Sequence, residues 1–272
     1  MRLDFYLETI KENLLYPFNN IFKVVIIGVL CFIGSIIGIM LQALGIATNN
    51  VSVLLLTIII AMIVLFVIYI FSGGYLAKIT RTTIETNDET YDLPKFDVKQ
   101  DIIEGLKLIV IAIAYYIIPV IIILTIAYVT NLLIPLVSVL IYLSSFAILN
   151  ITTVPMLTEL FVLSIIIFLI FTAFFTVAVG RFSETRELIS ALEFKEIIGI
   201  LKDVEIKDFL VNFILMIVAI VILWLIGVGI TFITGGIGVG FVATILNVVL
   251  IIPYIYVFIF KSIGSIYLES IY

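Results

Sequence analysis

The sequence contains no histidine, and Cys31 is the only cysteine among its 272 residues. These absences exclude disulfide bonds within one chain, zinc sites built from thiolates, and acid–base catalysis by histidine. The phosphate-binding motif GxxxxGKS/T and the GxSxG motif of serine hydrolases are also missing. We therefore predict no catalytic residue, no metal site and no cofactor, and we expect a protein that is not an enzyme.

Charged residues are scarce as well, at 12% of the chain against about 25% in a typical soluble domain. The 19 acidic residues outnumber the 14 basic ones, and the formal net charge is −5. Because binding to nucleic acid relies on clustered lysine and arginine, this balance excludes it. Hydrophobic residues make up 64% of the chain, and the mean hydropathy is +1.39. This composition predicts a single membrane domain, residues 1–272, in contact with membrane lipids.

Long apolar stretches recur along the chain. A helix of about 20 apolar residues crosses the roughly 30 Å hydrocarbon core of a bilayer. Stretches that reach this length are residues 24–46, 52–76, 108–129, 156–179, 209–232 and 238–260. They predict an all-α, polytopic integral membrane helical bundle with about six transmembrane helices. Gly34 and Gly38 put two small residues on one helical face, which favours close packing against another helix of the same chain.

A further apolar stretch, residues 132–149, is just long enough to cross, but the basic residues argue against a seventh span. Lysine and arginine are confined to residues 1–23, 78–107 and 181–207 and to Lys261. The positive-inside rule places these parts in the cytoplasm, so the number of crossings between the two long charged segments must be even. We predict that residues 132–149 form a short or re-entrant helix on the outer side, and that both termini are cytoplasmic. Seven spans is the alternative.

Amphipathic segments precede the spans on the predicted cytoplasmic side. In the N-terminal segment, one helical face carries Leu3, Leu7, Ile10 and Leu14. This pattern predicts a helix in the membrane interface that ends at Pro17. Similar interfacial segments are predicted at residues 94–106 and 192–201. Joined to the spans that follow them, these segments suggest three repeat units: residues 1–77, 78–180 and 181–260.

The two charged segments, residues 73–107 and 181–208, are predicted to form the exposed cytoplasmic contact surface. The candidate contact residues are Tyr75, Arg81, Leu93, Pro94, Phe96, Asp97, Arg181 and Phe194. Pro94 biases the residue before it to an extended conformation, so the segment around Phe96 is either a fixed turn before the next helix or a partner-docking motif. Four acidic residues of the first segment predict a solvated loop rather than a cation site: Asp88, Glu89, Asp92 and Asp97.

Two arginines follow the cytoplasmic ends of predicted spans. Arg81 and Arg181 are interpreted as topology anchors. The alternatives are that they bind lipid phosphates or pair with carboxylates of the loops. Of all the carboxylates, Glu159 alone is assigned to the outer side.

Several motifs of the first charged segment resemble a known family. They are Gly74-Tyr75, Arg81, an acidic patch, Leu93-Pro94-x-Phe96-Asp97, and Gly105-Leu106-Lys107 before an apolar span. With the later segment RFSETRELISALEFKEIIGILK, they resemble an uncharacterised, mostly archaeal integral-membrane family, domain-of-unknown-function family 4013. The resemblance implies a membrane protein of this topology and no particular activity. The family tends to have a tryptophan in the first loop, where Phe96 is the candidate replacement, because the only tryptophan here, Trp224, lies in a span.

The exclusions favour a non-enzymatic scaffold or accessory protein of the cell membrane, with a protein partner on its cytoplasmic face. The alternative is a transporter or permease-like protein for a small molecule or lipid. Ion-coupled transporters usually keep an ionisable group at mid-depth in the membrane, whereas the amide side chains Asn212 and Asn247 are the main polar groups of these spans. The sequence does not specify an oligomeric state.

Overall fold

The computed structural model describes residues 2–48, 50–86, 92–136, 153–203, 206–236 and 238–271. These parts of the chain are almost entirely helical and contain no β-strand. The helices are α1 (Arg2–Asn19), α2 (Ile21–Ala47), α3 (Val51–Glu85), α4 (Val98–Val129), α5 (Thr153–Thr185), α6 (Leu188–Leu192), α7 (Phe194–Asp203), α8 (Ile206–Gly236), α9 (Gly240–Leu246) and α10 (Ile252–Ile271). A π-helical segment, Asn247–Ile251, joins α9 to α10 in one continuous rod.

Six helical stretches of the described chain are long and apolar enough to cross a membrane: α2, α3, α4, α5, α8 and the rod that contains α9 and α10. The prediction of an all-α membrane bundle with about six transmembrane helices is therefore confirmed for the described residues. Most of the predicted outer element, residues 137–149, lies outside the described residues. Its described part is residues 132–136, of which residues 133–136 are helical.

Polar residues at the starts of the apolar runs set where several helices begin. The side chain of Asn50 accepts a hydrogen bond from the backbone N–H of Ser52 at 2.9 Å, and so caps α3. Asp97 caps α4 in the same way, by accepting from the N–H of Gln100 at 3.1 Å. The predicted end of α1 at Pro17 is wrong, because α1 continues to Asn19. A proline in the last turn removes one backbone hydrogen bond, which a helix about to end tolerates.

The membrane helices extend further into the charged segments than predicted. Helix α3 continues past residue 76 to Glu85, and α4 begins at Val98 rather than at residue 108. Residues 94–106 therefore do not form a separate interfacial helix. Their helical part is the first turns of α4, where helix-favouring side chains and packing against α3 continue the rod. The third predicted interfacial segment is a separate helix, α7.

The buried face of helix α1 coincides with the predicted one only in part. Its buried residues are Tyr6, Ile10, Asn13, Tyr16 and Pro17, and Leu14 packs against the core, whereas Leu7 is about half exposed. This buried face packs mainly against α10 and α8. Aromatic and amide side chains therefore hold α1 to the bundle, and a leucine that was predicted to define its apolar face points elsewhere.

The core lies at one end of the bundle, which we call the charged end, where α3 and α5 end and α4 and α8 begin. In α3 the buried residues crowd between Ile70 and Thr83, and only Thr57 and Ala61 are buried before them. Helix α10 is central at this end, because it contacts α1, α2, α3, α5, α7 and α8. Every residue from Phe260 to Leu268 is buried.

Glycines allow the closest helix crossings at the charged end. A Cβ atom on Gly74 of α3 would overlap the backbone carbonyl of Asp101 in α4, and one on Gly105 of α4 would overlap the carbonyl of Ile70 in α3. We call the opposite end the far end. From the middle of the bundle toward that end, Gly34 and Gly38 of α2 face Ile68, Leu65 and Ala61 of α3. The predicted packing of Gly34 and Gly38 within the chain is confirmed.

Candidate functional site

Four charged side chains form a buried cluster between α3 and α4 at the charged end. Lys78 pairs with Asp101, and Arg81 Nη1 lies 2.5 Å from Glu104 Oε1. Arg81 is only 3% exposed and Asp101 is fully buried. Gln100 Nε2 also donates to Glu104 Oε1 at 2.8 Å, and Arg81 Nε donates to the carbonyl of Ser183 in α5 at 3.2 Å. The cluster, which we call the four-charge cluster, therefore ties three helices together.

Pairing is what makes these buried charges tolerable. Moving an ion out of water costs several kcal/mol, and a counter-ion with further hydrogen bonds offsets much of that cost. Two atoms of the Arg81–Glu104 pair, Arg81 Nη2 and Glu104 Oε2, have no hydrogen-bond partner among the described residues. If either side chain of the Arg81–Glu104 pair is removed, the other therefore stays buried and loses both its counter-ion and a hydrogen bond.

The connecting segment, residues 92–97, is held against the bundle by contacts from three helices. From α3, the Tyr75 hydroxyl donates to the carbonyl of Pro94 at 3.1 Å, and the ring of Tyr75 stacks on Phe96 with centroids 4.3 Å apart. From α1, the Tyr16 hydroxyl donates to the carbonyl of Asp92 at 3.2 Å. From α2, Lys23 Nζ donates to the carbonyl of Leu93.

The end of the connecting segment is also the start of α4. Asp97 caps the helix with its side chain, and its own backbone N–H donates to Asp101 Oδ2 at 2.8 Å. Lys78 Nζ donates to the carbonyl of Lys95 at 3.2 Å in addition to pairing with Asp101. The four-charge cluster and the connecting segment are therefore one connected unit, and the fixed-turn interpretation of the Pro94 region agrees with these contacts.

Helix α10 contributes buried polar groups to the same end. Lys261 is buried, with Nζ 4.8 Å from the centre of the Tyr16 ring, a cation–π contact. Thr80 of α3 donates from its hydroxyl to the carbonyl of Phe260 at 2.7 Å. Ser265 donates to the Asn13 side chain at 3.2 Å. These contacts join α1 and α3 to the central helix.

Arg181 and Phe194 belong to a second set of contacts, around α5 and α7. Arg181 Nη2 lies 2.9 Å from Glu196 Oε2, and its Nη1 lies 3.4 Å from Glu184. The ring of Phe194 lies 4.8 Å from that of Tyr115, whose hydroxyl donates to the carbonyl of Ala191 at 2.9 Å. Side-chain contacts thus hold α6 and α7 against α4 and α5.

The structure brings six of the eight predicted contact residues together around the connecting segment. Three of these, Tyr75, Arg81 and Leu93, are buried, so their predicted exposure on a loop surface is wrong. Arg81 pairs with a carboxylate, one of the alternatives left open by the sequence, although its partner lies in α4 rather than in a loop. Asp97 and Phe194 are exposed. That any of the eight contacts a partner stays a prediction, and Asp88 and Glu89 lie outside the described residues.

Sequence reasoning missed the buried partners Lys78, Asp101 and Glu104. A signal for the two carboxylates was present, because buried positions of α4 recur every three or four residues: Asp101, Glu104, Gly105, Leu108, Ile111 and Tyr115. Starting the helix at the Asp97 cap instead of at the first apolar residue would have put both carboxylates on this buried face.

A family model described as "Protein of unknown function (DUF4013)" matches residues 57–233, more than half of the chain. The chain belongs to this family. The region matched to DUF4013 holds the four-charge cluster, the connecting segment and α7, and it ends before the rod that contains α10. No curated protein and no solved structure was found to match. The family assignment agrees with the resemblance noted in the sequence, and the six apolar helices make this member a multi-pass membrane protein.

Proposed function

We propose that this DUF4013 protein is a non-enzymatic scaffold or accessory protein of the cell membrane, which docks a partner protein at its charged end. Our proposal also places this end, with both termini, in the cytoplasm. The observation that carries it is the fixation of residues 92–97 by side chains of Tyr16, Lys23, Tyr75 and Lys78. A segment already held in one conformation loses less entropy when a partner binds to it.

The exposed side chains of this region suit a docking surface. Asp92, Lys95, Asp97 and Lys99 are exposed and carry both signs of charge. Mixed charges at the rim of an interface favour specificity and speed of association. By contrast, the charges behind this surface are buried and paired in the four-charge cluster. Groups engaged in this way support a structural role for the cluster rather than acid–base chemistry.

A photo-crosslinking experiment tests the docking proposal. A photoreactive amino acid at Asp92 should give one discrete protein adduct in native membranes, and the double variant K95E/K99E should abolish it. The matched control is K195E/K202E, which makes the same charge change on α7 at the same end. If the adduct survives K95E/K99E, or if both double variants remove it equally, the partner does not dock on this surface.

The topology is tested by labelling single cysteines after Cys31 is replaced by serine. Lys95→Cys and Ile189→Cys should both react with a membrane-impermeant reagent only from the cytoplasmic side. Ile189 is 70% exposed, whereas the neighbouring Ser190 is buried and hydrogen-bonded to Thr185. Opposite labelling of the two positions would require an odd number of crossings between them, and would restore a seventh span.

Transport of a small molecule or lipid is the second candidate, and the π-helical segment Asn247–Ile251 favours it. Such segments interrupt a helix locally and recur at functional sites. Here Asn247 Nδ2 donates across to Thr231 Oγ1 of α8 at 2.8 Å and to the carbonyl of Gly227 at 3.2 Å. Transport predicts flux of a substrate into liposomes that hold the purified protein. If no amphiphile or metabolite tested shows flux, the scaffold proposal remains as the single candidate.

A further inference from the structure

A pocket of about 380 Å³ lies at the far end, between the last turns of α4 and the first turns of α5. Its walls are mostly apolar and include Ile126, Met156, Leu160 and Leu163. Two polar side chains also line it, Thr130 from the end of α4 and Glu159 from α5. The pocket lies at the opposite end of the bundle from the four-charge cluster and shares no residue with it.

Glu159 is unusual among the carboxylates of this protein. It lies within a candidate membrane span, Pro155–Thr185, and makes no hydrogen bond or ion pair in the part of the chain that the structure describes. At the charged end, by contrast, Asp101 and Glu104 are buried and paired. A carboxylate at the edge of the membrane, beside an apolar pocket, calls for a cationic partner or water.

The polar groups of the pocket offer acceptors but no free donor. The hydroxyl of Thr130 already donates its proton to the carbonyl of Ile126 at 2.7 Å, which leaves its oxygen lone pairs as acceptors. The carboxylate oxygens of Glu159 are acceptors as well. The matching ligand group is therefore a cation with several N–H donors. A primary ammonium has three, whereas a quaternary ammonium has none.

The apolar walls indicate that this ammonium belongs to a lipid. Met156, Glu159 and Leu163 follow one another at spacings of three and four residues on one face of α5, so the carboxylate sits within an apolar stripe. Met156 is 55% exposed and Leu163 is 40% exposed, and they continue the exposed apolar surface of the span. A free amine would leave this stripe uncovered, whereas an alkyl chain would pack along it.

We infer that the pocket between α4 and α5 binds a membrane lipid with a primary ammonium headgroup, of the phosphatidylethanolamine type. Glu159 pairs with the ammonium, and Thr130 Oγ1 accepts a hydrogen bond from one N–H group of the ammonium. The lipid chain lies along Ile126, Leu160 and Leu163. The site does not depend on the proposed docking surface at the charged end.

Native mass spectrometry of the delipidated full-length protein tests this site. The protein is titrated with phosphatidylethanolamine, phosphatidylcholine and phosphatidylglycerol that carry identical chains. We expect phosphatidylethanolamine to bind about tenfold more tightly than the other two, because one charge-assisted hydrogen-bonded contact has that magnitude. Glu159→Gln should abolish this preference, and Thr130→Val should weaken it by a smaller factor.

Two further variants separate the site from general effects. Glu193→Gln removes a carboxylate of equal charge from an exposed position at the charged end, and should keep the preference intact. Glu159→Asp keeps the charge on a shorter side chain, and should retain part of the preference. Equal binding of all three lipids, phosphatidylcholine binding as tightly as phosphatidylethanolamine, or a preference that survives Glu159→Gln would each overturn the inference.

Discussion

The two ends of the bundle are packed by different means. At the charged end the helices meet through large side chains, buried ion pairs and hydrogen bonds that centre on α10. From the middle of these helices to the far end, the buried residues of α2 and α3 are small: Gly34, Gly38, Gly45, Thr57 and Ala61. Lipid tails are as apolar as leucine, so close fit and polar contacts are the protein's own means of favouring helix association in a bilayer. The charged end uses both, and the far end of α2 and α3 relies on close fit.

The largest expected effect comes from replacing a glutamate by glutamine in a buried ion pair, and the same replacement in an exposed ion pair is its control. Glu104→Gln should lower the free energy of unfolding by about 3–5 kcal/mol, because Arg81 is left buried without its counter-ion. Glu85→Gln, which removes the partner of Arg186 on the surface, should cost less than about 1 kcal/mol. Reversible unfolding in mixed micelles measures both values. Equal losses would show that the four-charge cluster does not hold the charged end together.

Glycine replacement at a close crossing should have the next largest effect. Gly74→Ala should destabilise the protein by about 1–3 kcal/mol, because the added Cβ overlaps the backbone of α4. Gly229→Ala serves as the control, since nothing lies within 4 Å of a Cβ there, and it should be neutral or stabilising by up to about 1 kcal/mol. Thermal unfolding in detergent compares the two. A stable Gly74→Ala variant would mean that α3 and α4 can separate without penalty.

A smaller effect is expected where the connecting segment is held by a single hydroxyl. Tyr75→Phe keeps the stacking on Phe96 but loses the hydrogen bond to Pro94, which should cost about 0.5–1.5 kcal/mol. Amide hydrogen exchange of residues 92–97 should become faster, while exchange in α10 should not change. Tyr128→Phe is the control, because Tyr128 is 72% exposed at the far end. Unchanged exchange at residues 92–97 would show that Tyr75 does not fix this segment.

The smallest effect is expected at the far end. Phe232→Ala should change the free energy of unfolding by no more than about 0.5 kcal/mol, because the ring is 84% exposed and packs little against the protein. The same unfolding measurement in micelles applies. A loss above about 2 kcal/mol would mean that the far end is held together as firmly as the charged end, and the contrast between them would fail.

The sequence predicted the six spans of the described chain, because an apolar run long enough to cross the bilayer is a strong signal on its own. It did not predict where those helices end. Lys78 and Arg81 read as the beginning of a loop, and their burial in α3 depends on partners in α4 that no local pattern identifies. The cap at Asp97 shows why local signals are not enough. Asp97 is recognised as the start of α4 only if Asp101 and Glu104, which follow it, are known to be buried.

The candidate site was predicted only in part, because local patterns do not show tertiary contacts. The Leu93–Asp97 motif was correctly placed directly before a helix, since a proline and a capping residue act on their immediate neighbours. Which side chains of that region face solvent depends on tertiary packing. Tyr75 and Leu93 are buried because α1, α2 and α10 close over them, and these helices lie far away in the sequence. That Glu159 lies on the outer side stays a prediction, and its pocket could not be predicted because it requires the positions of two helices.

The central place of α10 imposes an order on biosynthesis. Chains leave the ribosome at roughly 5–20 residues per second, so on the order of ten seconds separate the end of α5 from the end of α10. We expect α3, α4 and α5 to be made before α10, so that the position α10 fills in the finished protein is open during that interval. We expect lipid or the membrane insertion machinery to cover that position until Lys261 and the serines beside it arrive. Slowing translation after α5 should therefore expose the nascent protein to quality-control proteases for longer than an equal pause before it.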